Sequence, residues 1–309
     1  MKLFFLLILI ILIITAAICL FCYRLAFQAP RHLEEREYHL PQGEQYEVHH
    51  DTLKASIEKL FEFPYEPIYI SAFDGTKLFG RFYRGQENTP VHLLFHGYKG
   101  NPYVDFSGGC RMALEMGHSV ILVDQRSHGQ SDGGTITFGI KERRDVESWI
   151  QCANELLGEN TPVFLWGISM GAATVLMTAD LDLPGNVAGI LADCPYSSPK
   201  AIIRKVCRTD MHLPDVIMYP FIRLSAWLFG HFDLEESSAA EAVRNTDIPI
   251  LLIHGEADYF VPCAMSREIK KACPSITFLS VPEAGHGLAY MTAPEKYKEA
   301  VKSFISTHS

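Results

Sequence analysis

From Leu3 to Tyr23 the chain is an almost unbroken run of apolar side chains, with Lys2 before it and Arg24 after it. At 1.5 Å per residue, about 20 such residues cross the hydrocarbon core of a bilayer. The run carries no polar face, which sets it apart from the one-sided helices of a soluble core. It predicts an uncleaved N-terminal membrane anchor over residues 1–30. The rival is a cleaved signal peptide, whose apolar part is usually about 7–15 residues and ends at a small-residue site. Ala29 is the nearest small residue, and Pro30 behind it is unfavourable for cleavage. Positive charge at both ends leaves the orientation open.

Residues 31–63 are polar and mixed in charge, the pattern of a juxtamembrane stalk leading into a helix near Leu53–Phe61. The stalk places the start of the folded core well after Tyr23, so residues 1–30 are expected to be removable. From 64 to 309 short apolar runs alternate with amphipathic stretches. Pro67–Ser71 and Lys77–Tyr83 read as a hairpin around Asp74-Gly75. Val91–Phe95, Ser119–Val123, Val163–Trp166, Val187–Ala192, Ile248–Ile253 and Ser275–Val281 read as buried strands. Gly139–Leu157, Ser266–Cys273 and Pro294–Ser306 read as surface helices. Strand–helix alternation implies a mostly parallel sheet covered on both faces. Residues 194–245 interrupt it with Met211, Met218, Phe221, Trp227, Phe229 and Phe232. Pro214 and Pro220 are expected to break this insert into short helices, and its position suggests a cap presenting apolar surface over the site.

The stretch from Val163 to Ala173 carries the chemistry. An apolar strand runs into Gly167-Ile168-Ser169-Met170-Gly171, and a helix-forming segment follows. A strand turning sharply into a helix strains its turn residue, and flanking glycines remove the Cβ atoms that would collide. The serine hydroxyl is then raised above the sheet, with a helix N-terminus behind it.

Composition narrows the reading. The chain has 309 residues, enough for one α/β domain and an appendage, and 48% of them are apolar. A net charge of −9, with no Lys/Arg-rich run, argues against a nucleic-acid partner. The eight cysteines show neither zinc spacing nor a disulfide framework.

Ligands of such sheets bind outside the carboxyl ends of the strands. His96-Gly97, Ser169, Asp258 and His286 all fall at predicted strand ends. A serine needs a base to take its proton, and the base needs a carboxylate to hold its tautomer. The order Ser169, Asp258, His286 suits that arrangement. Asp258 could instead cap the helix near Pro262, and Asp193, which also ends a strand, is a rival acid. Asp124 reads as structural. Two oxyanion donors are expected, the amides of Met170 and of Tyr98. No metal or organic cofactor is required.

Five ordered motifs carry a resemblance. They are His96-Gly97-x-x-Gly100-Asn101, Asp124-x-Arg126-x-His128-Gly129-x-Ser131, Gly167-x-Ser169-x-Gly171, His254-Gly255-x-x-Asp258-x-x-Val261-Pro262 and Gly285-His286-Gly287. Over Pro67–His308 the chain resembles the α/β-hydrolase superfamily, and within it the membrane-anchored ABHD/Bem46-like serine hydrolases, related to serine aminopeptidase and prolyl-oligopeptidase catalytic domains. The resemblance implies an eight-stranded α/β-hydrolase fold. It also implies Ser169 as nucleophile, Asp258 as acid, His286 as base, and Tyr98 and Met170 as oxyanion hole. Two departures stand out: the lipase-type His-Gly-Gly-Gly is absent, and Ser127 stands where many relatives have glycine. The expected function is hydrolysis of an acyl ester, thioester or lipid at a membrane. The alternatives are a peptidase acting on short peptides and an inactive hydrolase fold used as a binding module. The expected location is a membrane through one N-terminal helix, or the exterior after signal cleavage.

Overall fold

Eight strands form one sheet in the computed structural model, which describes residues 1–29 and 38–309. They are β1 (Glu66–Ser71), β2 (Lys77–Tyr83), β3 (Val91–Phe95), β4 (Ser119–Asp124), β5 (Val163–Ile168), β6 (Val187–Asp193), β7 (Ile250–Gly255) and β8 (Thr277–Val281). Their order across the sheet is β1-β2-β4-β3-β5-β6-β7-β8. The first two pairings, β1 with β2 and β2 with β4, are antiparallel and all others are parallel. The β1–β2 hairpin turns at Asp74-Gly75, where Gly75 takes φ 82°. Strands β3, β4 and β7 are buried along their whole length. This is why they read as continuous apolar runs: helices cover both faces.

The helices are α1 (Lys2–Ala26), α2 (Glu44–Glu47), α3 (His50–Phe61), α4 (Pro102–Glu115), α5 (Glu142–Leu157), α6 (Met170–Leu176), α7 (Pro199–Lys205), α8 (Asp215–Ser225), α9 (Ala239–Ala242), α10 (Cys263–Ala272), α11 (Ala289–Thr292) and α12 (Pro294–His308). One apolar layer of the core holds Trp149 of α5, Leu93 and Leu165. The other holds Trp166, Phe106 of α4 and Phe304 of α12. The fold is that of an α/β hydrolase, and α1 is long and apolar enough to cross a membrane. All eight cysteines are buried and free.

Three expectations need correction. First, the folded core does not begin well after Tyr23. Cys19, Cys22 and Phe27 are buried, and Phe27 meets the rings of Phe138 and Phe232 edge-on at 5.7 and 5.4 Å. Thr15, Ile18, Cys19, Cys22, Tyr23 and Ala26 form the covered face of α1, at three- and four-residue spacing. The run was apolar all round, so this one-sided burial left no periodic trace in it. Beyond the helix the Ile136 amide donates to the Phe27 carbonyl and that of Ala29 to Gly134. Second, the described part of the expected stalk packs on the domain, with Ile57 and Leu60 of α3 fully buried; its first part, residues 31–37, lies outside the described residues. Third, Pro220 does not break the insert, because it sits inside α8. It removes one bond, to Val216, and the packing of α8 on α1 supplies what that bond would have.

Candidate active site

The turn after β5 is built as its sequence implied. Ser169 takes φ 54° and ψ −113°, a backbone conformation that costs an L-residue of order 1–3 kcal/mol. The surrounding structure holds it there. The Ser169 amide donates to the Asp193 carbonyl at 2.8 Å, tying the turn to the end of β6. A Cβ on Gly171 would lie 1.8 Å from the Phe95 carbonyl oxygen, and one on Gly167 would lie 2.2 Å from the backbone of Gly171. Both positions therefore exclude any side chain.

The structure brings Ser169, His286 and Asp258 into one hydrogen-bonded chain. Ser169 Oγ lies 2.9 Å from His286 Nε2, and His286 Nδ1 lies 2.7 Å from Asp258 Oδ2. With Asp258 ionised, Nδ1 carries the proton and Nε2 is free to accept one from the serine. Asp258 is well held. Its Oδ1 accepts from the amides of Phe260 and Val261 at 2.9 and 2.8 Å, and His254 Nε2 lies 3.3 Å from Oδ2. Burial alone would raise its pKa, but hydrogen bonds from His254 and His286 outweigh it and hold the carboxyl down at about 2. Asp258 thus both caps the 260–261 turn and orients His286.

Asp193 is brought close without joining this chain. It is buried, and its Oδ1 has no hydrogen-bond partner among the described residues. Burial pushes its pKa up to about 6, against the pull of His254 and Tyr297. Asp124 accepts instead from Arg81 at 2.7 Å and from the Gln130 amide at 2.8 Å, far into the loop beyond β4.

The loop after β3 shows how the Tyr98 amide is presented. The Gly97 amide donates to Asp105 Oδ2 at 2.7 Å and the Lys99 amide to His128 Nε2 at 3.1 Å. The amides on either side of Tyr98 are therefore engaged. The Tyr98 amide has no protein acceptor among the described residues, and the Met170 amide, first in α6, is one of the donors a helix start leaves open. His96 braces the loop: Gln125 donates its amide to Nε2 at 3.1 Å, so Nδ1 donates to the Gly97 carbonyl at 2.9 Å. Burial holds this imidazole well below its usual pKa, hence neutral.

Asp105, Tyr46 and the orienting role of His254 escaped the sequence reading. Asp105 lines the cavity below Gly97, and burial pushes its pKa up to about 6, opposed by the Gly97 amide. Its signal was an acidic residue in the first turn of a helix capped by Asn101, which reads equally as helix-end chemistry. Tyr46 donates its hydroxyl to the His286 carbonyl at 3.0 Å, a contact across 240 positions that no local pattern encodes.

Ser169, His286, Tyr98 and Asp105 open into one cavity of about 540 Å³, within the usual range for small-molecule sites. Its outer wall differs from the expected one. No residue of the 194–245 insert lines it; Tyr38, His39, Tyr46, His49 and Leu53 do. The segment between α1 and β1 is the cover, and the insert lies off to the side, against α1.

A sequence model of the alpha/beta hydrolase fold family matches residues 90–233. The chain is 26% identical over 195 residues to an uncharacterised protein of Bacillus subtilis, YqkD, covering 62% of this chain and 63% of the relative. It is 27% identical over 157 residues to the thiohydrolase aneE of Aspergillus aculeatus, covering 50% and 46%. It is 26% identical over 201 residues to the lysophosphatidylserine lipase ABHD12 of Rattus norvegicus, covering 62% and 47%. The alignments thus span about half to two-thirds of these relatives. Among solved structures, an esterase of Pyrococcus furiosus superposes with a TM-score of 0.65 at 21% identity, over 81% of this chain and 93% of that one. Est1E of Butyrivibrio proteoclasticus, solved with ferulic acid bound, gives 0.58 at 20% identity, over 78% and 98%. These structural likenesses carry the fold, that of an α/β hydrolase, and the family match over residues 90–233 agrees with it.

Proposed function

We propose that this protein is a membrane-anchored serine hydrolase of the ABHD-like type, cleaving an ester or thioester of an apolar acyl group. The observation that carries the reading is the Ser169–His286–Asp258 chain at 2.9 and 2.7 Å on a left-handed serine turn. The presence of a lipase and a thiohydrolase among the relatives supports acyl chemistry, and α1 supports the anchor.

His286 Nε2 takes the proton from Ser169 Oγ as the oxygen attacks the acyl carbon. The carbonyl oxygen becomes an oxyanion facing the amides of Met170 and Tyr98, where preorganised donors are worth most. His286 then gives the proton to the leaving alcohol or thiol. Water, deprotonated by the same imidazole, clears the acyl-enzyme. Asp258, held ionised, keeps Nδ1 protonated and stabilises the imidazolium.

Labelling of the full-length protein with a fluorophosphonate probe tests this. The label is expected on Ser169 and absent from Ser169→Ala. Ser169→Ala and His286→Ala should each lower kcat by at least about 10⁴-fold, with losses that do not add in the double variant. Unlabelled wild type would mean an inactive fold. Labelling with turnover only on aminoacyl amides would move the substrate to peptides.

A further inference from the structure

The insert and α1 together expose apolar side chains that the active site does not use, beside the Arg204–Asp215 and Arg223–Asp233 ion pairs. Val216 and Ile217 of α8 are 69% and 59% exposed, and Trp227 in the turn after α8 is 64% exposed. Three contacts run in step along α1: Cys19 Sγ with the Phe221 carbonyl at 3.7 Å, Tyr23 with Phe229 at 5.7 Å between rings, and Phe27 with Phe232 at 5.4 Å. Moving back along the insert therefore moves toward the free end of α1. Val216 and Ile217, one turn before Phe221, stand deepest in that direction, and they are the most exposed apolar side chains of α8. The turn bearing Trp227 stands level with Tyr23 and Arg24.

The length of α1 decides what covers this face. Only Lys2–Ile14 is exposed on every side, and that stretch rises about 20 Å at 1.5 Å per residue. The hydrocarbon core is about 30 Å thick. The free part of α1 falls short by about 10 Å, and the missing turns are those already packed on the insert. A spanning α1 must carry the insert's apolar face in with it, to the depth of about 5–10 Å at which interfacial helices lie. Tyr23, Arg24 and Trp227 then fall at the headgroup level, where such side chains collect.

We propose that the exposed apolar side chains Val216, Ile217, Trp227 and Phe229 of the insert are immersed in the same leaflet that α1 enters, with Arg223, paired to Asp233, reaching to the headgroups, so that the domain lies on the bilayer and not above it. This rests on the anchor reading given above. The consequence is a site held beside the membrane surface. The Tyr98 hydroxyl donates to the Ala26 carbonyl at 2.8 Å and Lys99 Nζ to the Leu25 carbonyl at 3.3 Å, so the loop beside Ser169 is bonded to the end of α1. A lipid ester resident in that leaflet is the matching substrate class.

Trp227 is a natural probe, because the other two tryptophans, Trp149 and Trp166, are buried in the core. The full-length protein would be placed in phosphatidylcholine vesicles brominated near the carboxyl end of the acyl chains. The fluorescence component missing from Trp227→Phe should fall roughly twofold, as expected for a ring at the interface, and should resist aqueous acrylamide. Ile217→Trp in the Trp227→Phe background should respond more to bromine near the methyl end. Fluorophosphonate labelling of each variant checks the fold. Resistance to a carbonate wash, with Trp227 open to acrylamide and blind to bromine, would overturn this proposal and leave the anchor standing. Trp227 shielded from both quenchers would assign the face to a protein partner and overturn it too. Release of the full-length chain by the wash would remove the anchor reading, and this proposal with it.

Discussion

Asp193 and Asp258 are buried carboxylates near the ends of neighbouring strands, and their surroundings push them in opposite directions. Asp258 receives two amides and two imidazoles and is held at about 2; Asp193 has an empty Oδ1 and is pushed up to about 6. A carboxyl whose folded pKa is raised gives stability that is fully present below its unfolded value, near 3.9, and lost as pH rises through about 6. Asp193→Asn should therefore raise Tm at pH 7.5, by at most about 3 kcal/mol of stability, and leave it unchanged near pH 4. Thermal melts of both proteins across that range check it. Activity should survive in Asp193→Asn and collapse in Asp258→Asn; the reverse would make Asp193 the acid. The sequence pointed to Asp258 and kept Asp193 as a rival, because both fall near predicted strand ends. What separates them, the amides of Phe260 and Val261 and the reach of His286 Nδ1, is side-chain geometry that a linear pattern does not contain.

Among elements, the strands were the most legible. A strand buried on both faces is apolar at every position, and β3, β4 and β7 carry that pattern within a residue or two of their ends. The cover was the least legible. The insert had the aromatic content expected of a cap, whereas the polar stretch 38–53 looked like a stalk, yet the polar stretch lines the cavity. A cover over a cavity lined by charged and polar groups such as Asp105, Asp193 and His286 needs little apolar surface of its own, so hydrophobicity pointed to the wrong segment. Gly285 faces this cover: a Cβ there would lie 1.6 Å from Gln45 Oε1, the free end of an exposed side chain that can swing aside. Gly285→Ala should therefore move the Gln45 side chain only, leaving the 38–53 segment in place and KM for esters close to that of the wild type. Ester kinetics of Gly285→Ala check it, and a large rise in KM would mean that the cover cannot give at Gln45.

At the scale of the molecule, α1 and the sheet domain share one core. A chain beginning at Thr15 keeps the covered face of α1, whereas a chain beginning at residue 30 loses Cys19, Cys22 and Phe27. Removing a buried phenylalanine typically costs about 3–5 kcal/mol, a large part of the 5–15 kcal/mol that holds a typical domain together. The shorter chain should melt well below the longer one in the same mild detergent, and lose fluorophosphonate labelling at temperatures where the longer one keeps it. Equal melting curves would show that α1 is only a tether.

The eight cysteines are all buried and unbonded. Everything that fastens α1, the cover segment and the insert to the sheet is therefore non-covalent and reversible. Such a chain needs no oxidant to mature and loses nothing to a reductant, so its folding is indifferent to the redox chemistry of its surroundings. Its thiols become reactive only when the structure around them opens. Cys19 and Cys22 lie against the insert while Cys110 and Cys194 lie inside the domain, so the order in which they react would record whether the packing of α1 or the sheet domain gives way first.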